Sequence, residues 1–277
     1  MRGVVAGGMV SGIEDLGLLP VFDSIHGSSA GACAGAYLLA GQAKQGTSIY
    51  YEDINNKSFI HLWRGLIGRP IMNTSFLIDH VMRYVKPLNV DEIRRHPGVL
   101  HVVATRALTG EPIVFLHFTD TDDFFRKLKA SISIPVIAGK GVYIGDELIY
   151  DGGMAQQIPI ISALENGATH ILVLMTRRDH EVRRPVREHG FAFDEIVIRL
   201  VYGAVAAREY RDRNKRTNHV VTAILARDLR GKGKNVAVDY VLRPSTGVHV
   251  DRLSTDGALL RAAAEEAQNA VINYFKV

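Results

Sequence analysis

Apolar residues recur along this chain with two periods, one helical and one extended. Near the start, Val5, Met9, Ile13 and Leu16 fall on one helical face, so residues 4–16 are predicted helical despite their glycines. LPVFDSIH (19–26) predicts a short buried strand, and AGACAGAYLLAG (30–41) a helix with one side of alanine and glycine. Three- and four-residue steps within 75–85 predict a further helix, and Asn89 is placed to cap another over 89–95. A strand-rich middle follows: 99–105 and 112–118 flank the turn LTGE, and GVYIG and ELIYDGG flank Asp146. Helices are predicted over 122–132 and over 158–168, the latter ending at Gly167. HILVLM (170–175) is almost wholly apolar, as in a strand buried on both faces of a parallel sheet. Residues 193–229 are predicted mainly helical, 235–242 a strand and 254–275 a closing helix. Strands that alternate with helices argue for an α/β sandwich with a mainly parallel sheet.

Composition and charge narrow the class. With 277 residues and 47% hydrophobic content, the chain can build one sizeable core, and it is read as a single domain over 1–277. Cys33 is the sole cysteine, so an internal disulfide and a Cys/His zinc site are both excluded, and a reducing compartment fits. Gly7, Gly8, Gly12, Glu14 and Asp15 interrupt the first apolar run too early for a secretory signal. No run is long enough to span a bilayer. The expected location is cytoplasmic, with peripheral membrane contact left open. The net charge of +4 is uneven: 177–234 holds 15 Lys/Arg and 8 Asp/Glu, while the remainder holds 18 and 21. Nucleic acid is disfavoured, because neither a stacking platform nor a binding motif accompanies the basic stretch.

The chemistry centres on Gly27-Ser28-Ser29-Ala30-Gly31, a G-x-S-x-G pattern between a predicted strand and a predicted helix. In such an elbow the central residue is strained, and side chains at the flanking positions would collide with neighbouring backbone. The helix that follows points free N–H groups at the same place, Ala30 N–H among them, where an anionic tetrahedral intermediate would be held. Taken alone, the pattern fits a nucleophile or a small-residue packing loop. A Ser-His-Asp triad is disfavoured: His219 and His249 lie late but in no evident strand-end loop, and only 28 residues precede Ser29. Asp151 in LIYDGG ends a predicted strand, either as a carboxylate facing a site or as an ordinary Asp-Gly turn.

In order and spacing, these pieces resemble the patatin-like phospholipase family. Met1-Arg2-Gly3 is followed by a small-residue helix, then Gly27 to Gly31, then Ser131-Ile-Ser133-Ile-Pro135, then Asp151-Gly152-Gly153 with Gln157-Ile158-Pro159-Ile160. The match covers roughly residues 1–175, and the later basic helix and the VLRPS strand look like those of bacterial single-domain members. The resemblance implies a three-layer α/β/α fold and a dyad of Ser29 as nucleophile and Asp151 as base. It further implies hydrolysis of lipid acyl esters without metal or nucleotide cofactor. Burial would raise the carboxyl pKa from about 4 and favour proton uptake from the serine. Arg2 and Gly3 match only the end of the family's glycine-rich oxyanion loop; its leading glycines would precede Met1. The loss of one oxyanion donor costs about 3–4 kcal/mol. Either the start lies further upstream, or the chain is slow, or it serves as a non-catalytic lipid- or membrane-binding protein.

Other residues have plainer readings. His26 and Ser28 are expected to be structural, and Cys33 a small buried helix residue. Arg2 either orients the oxyanion loop or is disordered. Residues 59–82, with the sole tryptophan, wall an acyl groove, touch a membrane or pack as an insertion. The basic run 208–216 meets anionic headgroups or forms a solvated helix face.

Overall fold

The computed structural model describes residues 1–135, 137–139, 141–182, 192–243, 247–251 and 253–276. Its first half comprises helix α1 (Gly3–Asp15), strand β1 (Ser24–Ser28), helices α2 (Ala30–Leu39), α3 (Ala43–Glu52), α4 (Trp63–Leu66) and α5 (Val90–Arg95), strands β2 (Val99–Arg106) and β3 (Pro112–Phe115), and helix α6 (Thr121–Ser131). Strands β4 (Val142–Ile144) and β5 (Glu147–Asp151), helix α7 (Ile160–Glu165), strand β6 (His170–Arg178) and helix α8 (Asp179–Val182) follow. Helix α9 (Ala192–Leu225), strands β7 (Leu229–Gly231) and β8 (Lys234–Arg243), and helix α10 (Gly257–Phe275) complete the described elements.

Three helices, α5, α6 and α10, begin where a side chain satisfies an open N–H group. Asn89, Asp120 and Asp256 accept from Glu92, Asp123 and Leu259 N–H at 3.2, 2.8 and 3.0 Å. Several elements depart from the sequence reading. Over 19–26, Pro20 opens a 3-10 turn at Leu19–Val21, and only Ser24–Ser28 pairs as a strand. The predicted helix at 75–85 is a wider π-helix, Phe76–Val85. Helix α3 is not predicted: it is poor in apolar residues and buries Ala43, Gly46 and Thr47 beside Ile49. Helix α9 is broken at Gly203 (φ 91°, ψ 174°), a backbone conformation open essentially only to glycine. Pro244 and Ser245 of the expected VLRPS strand lie outside the described residues.

Two sheets form. One runs β1-β2-β5-β4 with β3 also on β2, and the other runs β6-β8-β7. The α/β architecture is as expected, and the sheets are mixed. Parallel pairing joins β1 to β2 and β6 to β8; the remaining pairs are antiparallel. Short connections enforce this: β2 and β3, β4 and β5, and β7 and β8 are joined by turns too short for a crossover. Helix α1 packs against α10, α2, α3 and β6, and so joins the second sheet to α2, which packs on β1 and β2 of the first. Met9, Ile13, Ile78, Phe124, Leu128 and Leu260 are fully buried in the main core. No helix among the described residues is long and apolar enough to cross a membrane.

Candidate active site

Strand β2 has two edges. On one, β3 pairs with Val102–Thr105. The other is shared end to end: β1 reaches Val103 with Ser28, and β5 reaches Ala104 with Asp151. Because β1 is parallel and β5 antiparallel to β2, the two strands arrive from opposite directions. Their last residues meet beside the Val103–Ala104 step, so Ser29 and Gly152 both leave the sheet at one point.

The backbone there is close-packed. An added Cβ on Gly152 would lie 2.2 Å from the Val103 carbonyl oxygen and 2.6 Å from Ser28 Oγ. Ser29 is half-buried and holds φ 55°, ψ −128°, a strained conformation for a residue with a Cβ. Its N–H donates to Ser131 Oγ at 3.0 Å, and that hydroxyl donates to the Val103 carbonyl at 2.6 Å. The same β2 residue that marks the junction thus anchors the elbow. The collision argument holds at Gly27, where a Cβ would lie 2.5 Å from Ala32 backbone. At Gly31 a Cβ would meet nothing within 4 Å, so the predicted steric reason is absent there.

Asp151 is 5% exposed. Its Oδ1 accepts Gly153 N–H at 2.7 Å, its N–H donates to Ser133 O at 3.1 Å, and its carbonyl accepts Thr105 Oγ1 at 2.9 Å. The SISIP segment therefore holds both partners, Ser131 the elbow and Ser133 the aspartate. Ser131 and Ser133 stand out in the sequence only as part of a family pattern. A serine pair closing an amphipathic helix was the available signal; its targets are set by the fold. Asp151 also reaches Cys33 electrostatically: burial first, then the Asp151 charge, pushes that thiol up to about 12. Cys33 stays a neutral thiol, as a structural helix residue would.

Ala30 N–H, at the start of α2, has no acceptor among the described residues. The start of α1 adjoins it, since a Cβ on Gly3 would lie 2.8 Å from Ala30 Cβ and would also strike the Tyr50 hydroxyl. Arg2 precedes α1 and is half-buried. His26 is held in the sheet: Ser24 Oγ and Ser162 Oγ bond its ring at 3.1 and 2.9 Å, and it stacks on His101 at 3.9 Å. Burial, and after it His101, lowers its pKa to about 3. His219 and His249 are exposed, and His249 pairs with Asp251 at 3.0 Å. Among the described residues no cluster of three or more His, Cys, Asp or Glu could hold a metal. A cavity of about 620 Å³ opens beside Ser133, lined also by Thr74, Ser75, Arg83, Arg126 and Tyr143.

The family model for patatin-like phospholipase matches residues 1–164. No curated protein matches the chain. Among solved structures, the crystal structure of VipD from Legionella pneumophila aligns at 13% identity and a TM-score of 0.44. That alignment covers 99% of this chain, which spans 65% of the VipD chain.

Proposed function

Because the chain belongs to the patatin-like phospholipase family, we propose that it is a serine hydrolase of lipid acyl esters, with Ser29 as nucleophile and Asp151 as base. The observation that carries this reading is the junction of β1 and β5 on one edge of β2, from which the strained serine and the buried carboxylate emerge together. Asp151 takes the Ser29 hydroxyl proton as Oγ bonds to the ester carbonyl carbon. Ala30 N–H donates to the resulting oxyanion. The C–O bond to the alcohol then breaks, and the alcohol leaves with the proton from Asp151. In the second half Asp151 takes a proton from water, the hydroxide attacks the acyl-enzyme, and the carboxylic acid departs as Ser29 regains its proton. Gly153 N–H and the Thr105 and Ser133 contacts fix Asp151 throughout.

The test is covalent labelling with a fluorophosphonate probe, together with turnover of a short-chain ester. Ser29→Ala is expected to abolish labelling, and Asp151→Asn to lower turnover by about 10²–10⁴-fold. Labelling that survives Ser29→Ala, or turnover that survives Asp151→Asn, overturns the dyad. A chain that binds lipid yet neither labels nor turns over ester is a non-catalytic lipid binder.

A further inference from the structure

Residues 61–71 form a protrusion with pinned ends. Ile60 and Met72 make an isolated antiparallel bridge, His61 N–H donates to Ile71 O at 2.9 Å, and Asn73 N–H donates to Phe59 O at 2.8 Å. Phe59 and Ile60 are buried at its root. Between the pins, in and around α4, Leu62, Trp63 and Ile67 are 58, 72 and 68% exposed. Three large apolar side chains so close together, on a backbone held at both ends, face water by construction.

The charge around them has one sign. From Lys57 to Ile78 the chain carries Lys57, Arg64 and Arg69 and no Asp or Glu. None of these three cations forms an ion pair with a described residue; Arg64 only meets the Ser58 carbonyl, at 3.4 Å. Helix α9 is different. There Arg208 and Arg216 pair with Glu209, and Arg211 with Glu195 and Asp212. In the run 208–216, Arg208, Arg211 and Arg216 are thus each paired with an acid of the same helix, whereas the protrusion leaves its cations available to an external partner.

We propose that the 61–71 protrusion docks the protein on an anionic bilayer. Trp63 and Ile67 enter the boundary between headgroups and acyl chains, where an amphipathic indole is favoured, and Lys57, Arg64 and Arg69 pair with acidic headgroups. Its root leads toward the candidate site. Met72 N–H donates to Ile137 O at 2.8 Å, and a Cβ on Gly139 would lie 3.5 Å from Pro70 Cγ. Thr74, Ser75 and Ala138 then line the cavity that reaches Ser133, whose carbonyl holds Asp151 N–H. The docking reading rests on the lipid-ester reading only for its purpose; the binding itself needs no turnover.

Trp63 is the sole tryptophan, so its emission reports this segment alone. The Ser29→Ala chain is titrated with vesicles of phosphatidylcholine, with and without phosphatidylglycerol. Phosphatidylglycerol vesicles are expected to shift Trp63 emission to the blue, brominated acyl chains to quench it, and added salt to weaken binding. Arg64→Ala and Arg69→Ala each weaken binding about fivefold, and Ile67→Asp weakens it further. These exposed substitutions leave the circular dichroism spectrum and the turnover of a water-soluble short-chain ester in the Ser29 background unchanged. Emission indifferent to phosphatidylglycerol vesicles overturns the proposal, as does cosedimentation with Trp63 still in water, or variants that bind like the parent. A chain that docks but turns over no ester overturns only the hydrolase reading; one that hydrolyses soluble ester but does not dock overturns only this one.

Discussion

At Gly27 and Gly31 one motif assigns the same reason to two glycines, and the structure separates them. A methyl at Gly27 meets Ala32 backbone at 2.5 Å, while one at Gly31 has open space. Gly27→Ala is therefore expected to lower stability by about 1–3 kcal/mol through overpacking and to displace the elbow. Gly31→Ala should stay within about 0.5 kcal/mol of the parent, being a solvent-tolerated change in a helix's first turn; urea denaturation of both checks this. His26 gives a pH dependence. Its folded pKa is about 3, against about 6.5 in the unfolded chain. Between those values the unfolded state holds the extra proton, so stability falls as pH falls from 6.5 toward 3, by up to about 1.4 kcal/mol per unit. Above 6.5 the ring is neutral in both states and adds no slope. Unfolding midpoints of the parent and His26→Gln, compared at several pH values, should show the shallower slope in the variant. Burial also lowers His101, on which the ring stacks, so part of the acid sensitivity stays in the variant.

Helix α1 sets propensity against packing. Its four glycines each disfavour a helix by about 1 kcal/mol relative to alanine. Yet a Cβ on Gly8 would lie 2.2 Å from the Ala264 carbonyl oxygen, and one on Gly12 would lie 2.8 Å from that of Gln268, both in α10. The helices approach backbone to backbone, and the main core closes around them. Gly8→Ala is expected to lose net stability despite its better propensity, because a backbone carbonyl cannot step aside as a flexible side chain would. A lowered melting temperature measures the effect; an unchanged or raised one would place α10 further from α1. The periodicity of Val5, Met9 and Ile13 makes this helix legible in the sequence, whereas its glycine face becomes intelligible only with α10 in place. The π-helix at 76–85 and the break at Gly203 belong to the same class: a helical pattern was readable, its local geometry was not.

Across the whole molecule, the second sheet is tied to the rest through α10. Arg243 at the end of β8 donates from Nε to Glu266 Oε1 at 2.8 Å and also meets the Val248 carbonyl, while Glu266 Oε2 accepts Val248 N–H at 2.8 Å. The side chains are only 5 and 15% exposed. Loss of one partner leaves a buried charge, so Arg243→Met alone is expected to cost about 3–5 kcal/mol. Arg243→Met with Glu266→Met should cost clearly less than the two single changes summed, which a double-mutant cycle in urea reads directly.

The sequence by itself determined the alternation of strands and helices, the elbow serine, the aspartate at a strand end and the family that these imply. Each is local: a period, a turn chemistry or a motif spacing fixed by neighbours along the chain. Only the tertiary structure decided that β1 and β5 share an edge of β2, that Ser131 and Ser133 hold Ser29 and Asp151, and that Gly31 lacks the steric reason of Gly27. It also decided which basic segment offers unpaired cations: Arg208, Arg211 and Arg216 meet acids on the same helix, and the arginines of 57–78 meet none among the described residues. These are relations between residues far apart in sequence, set by strand register and helix packing, and no local pattern encodes them.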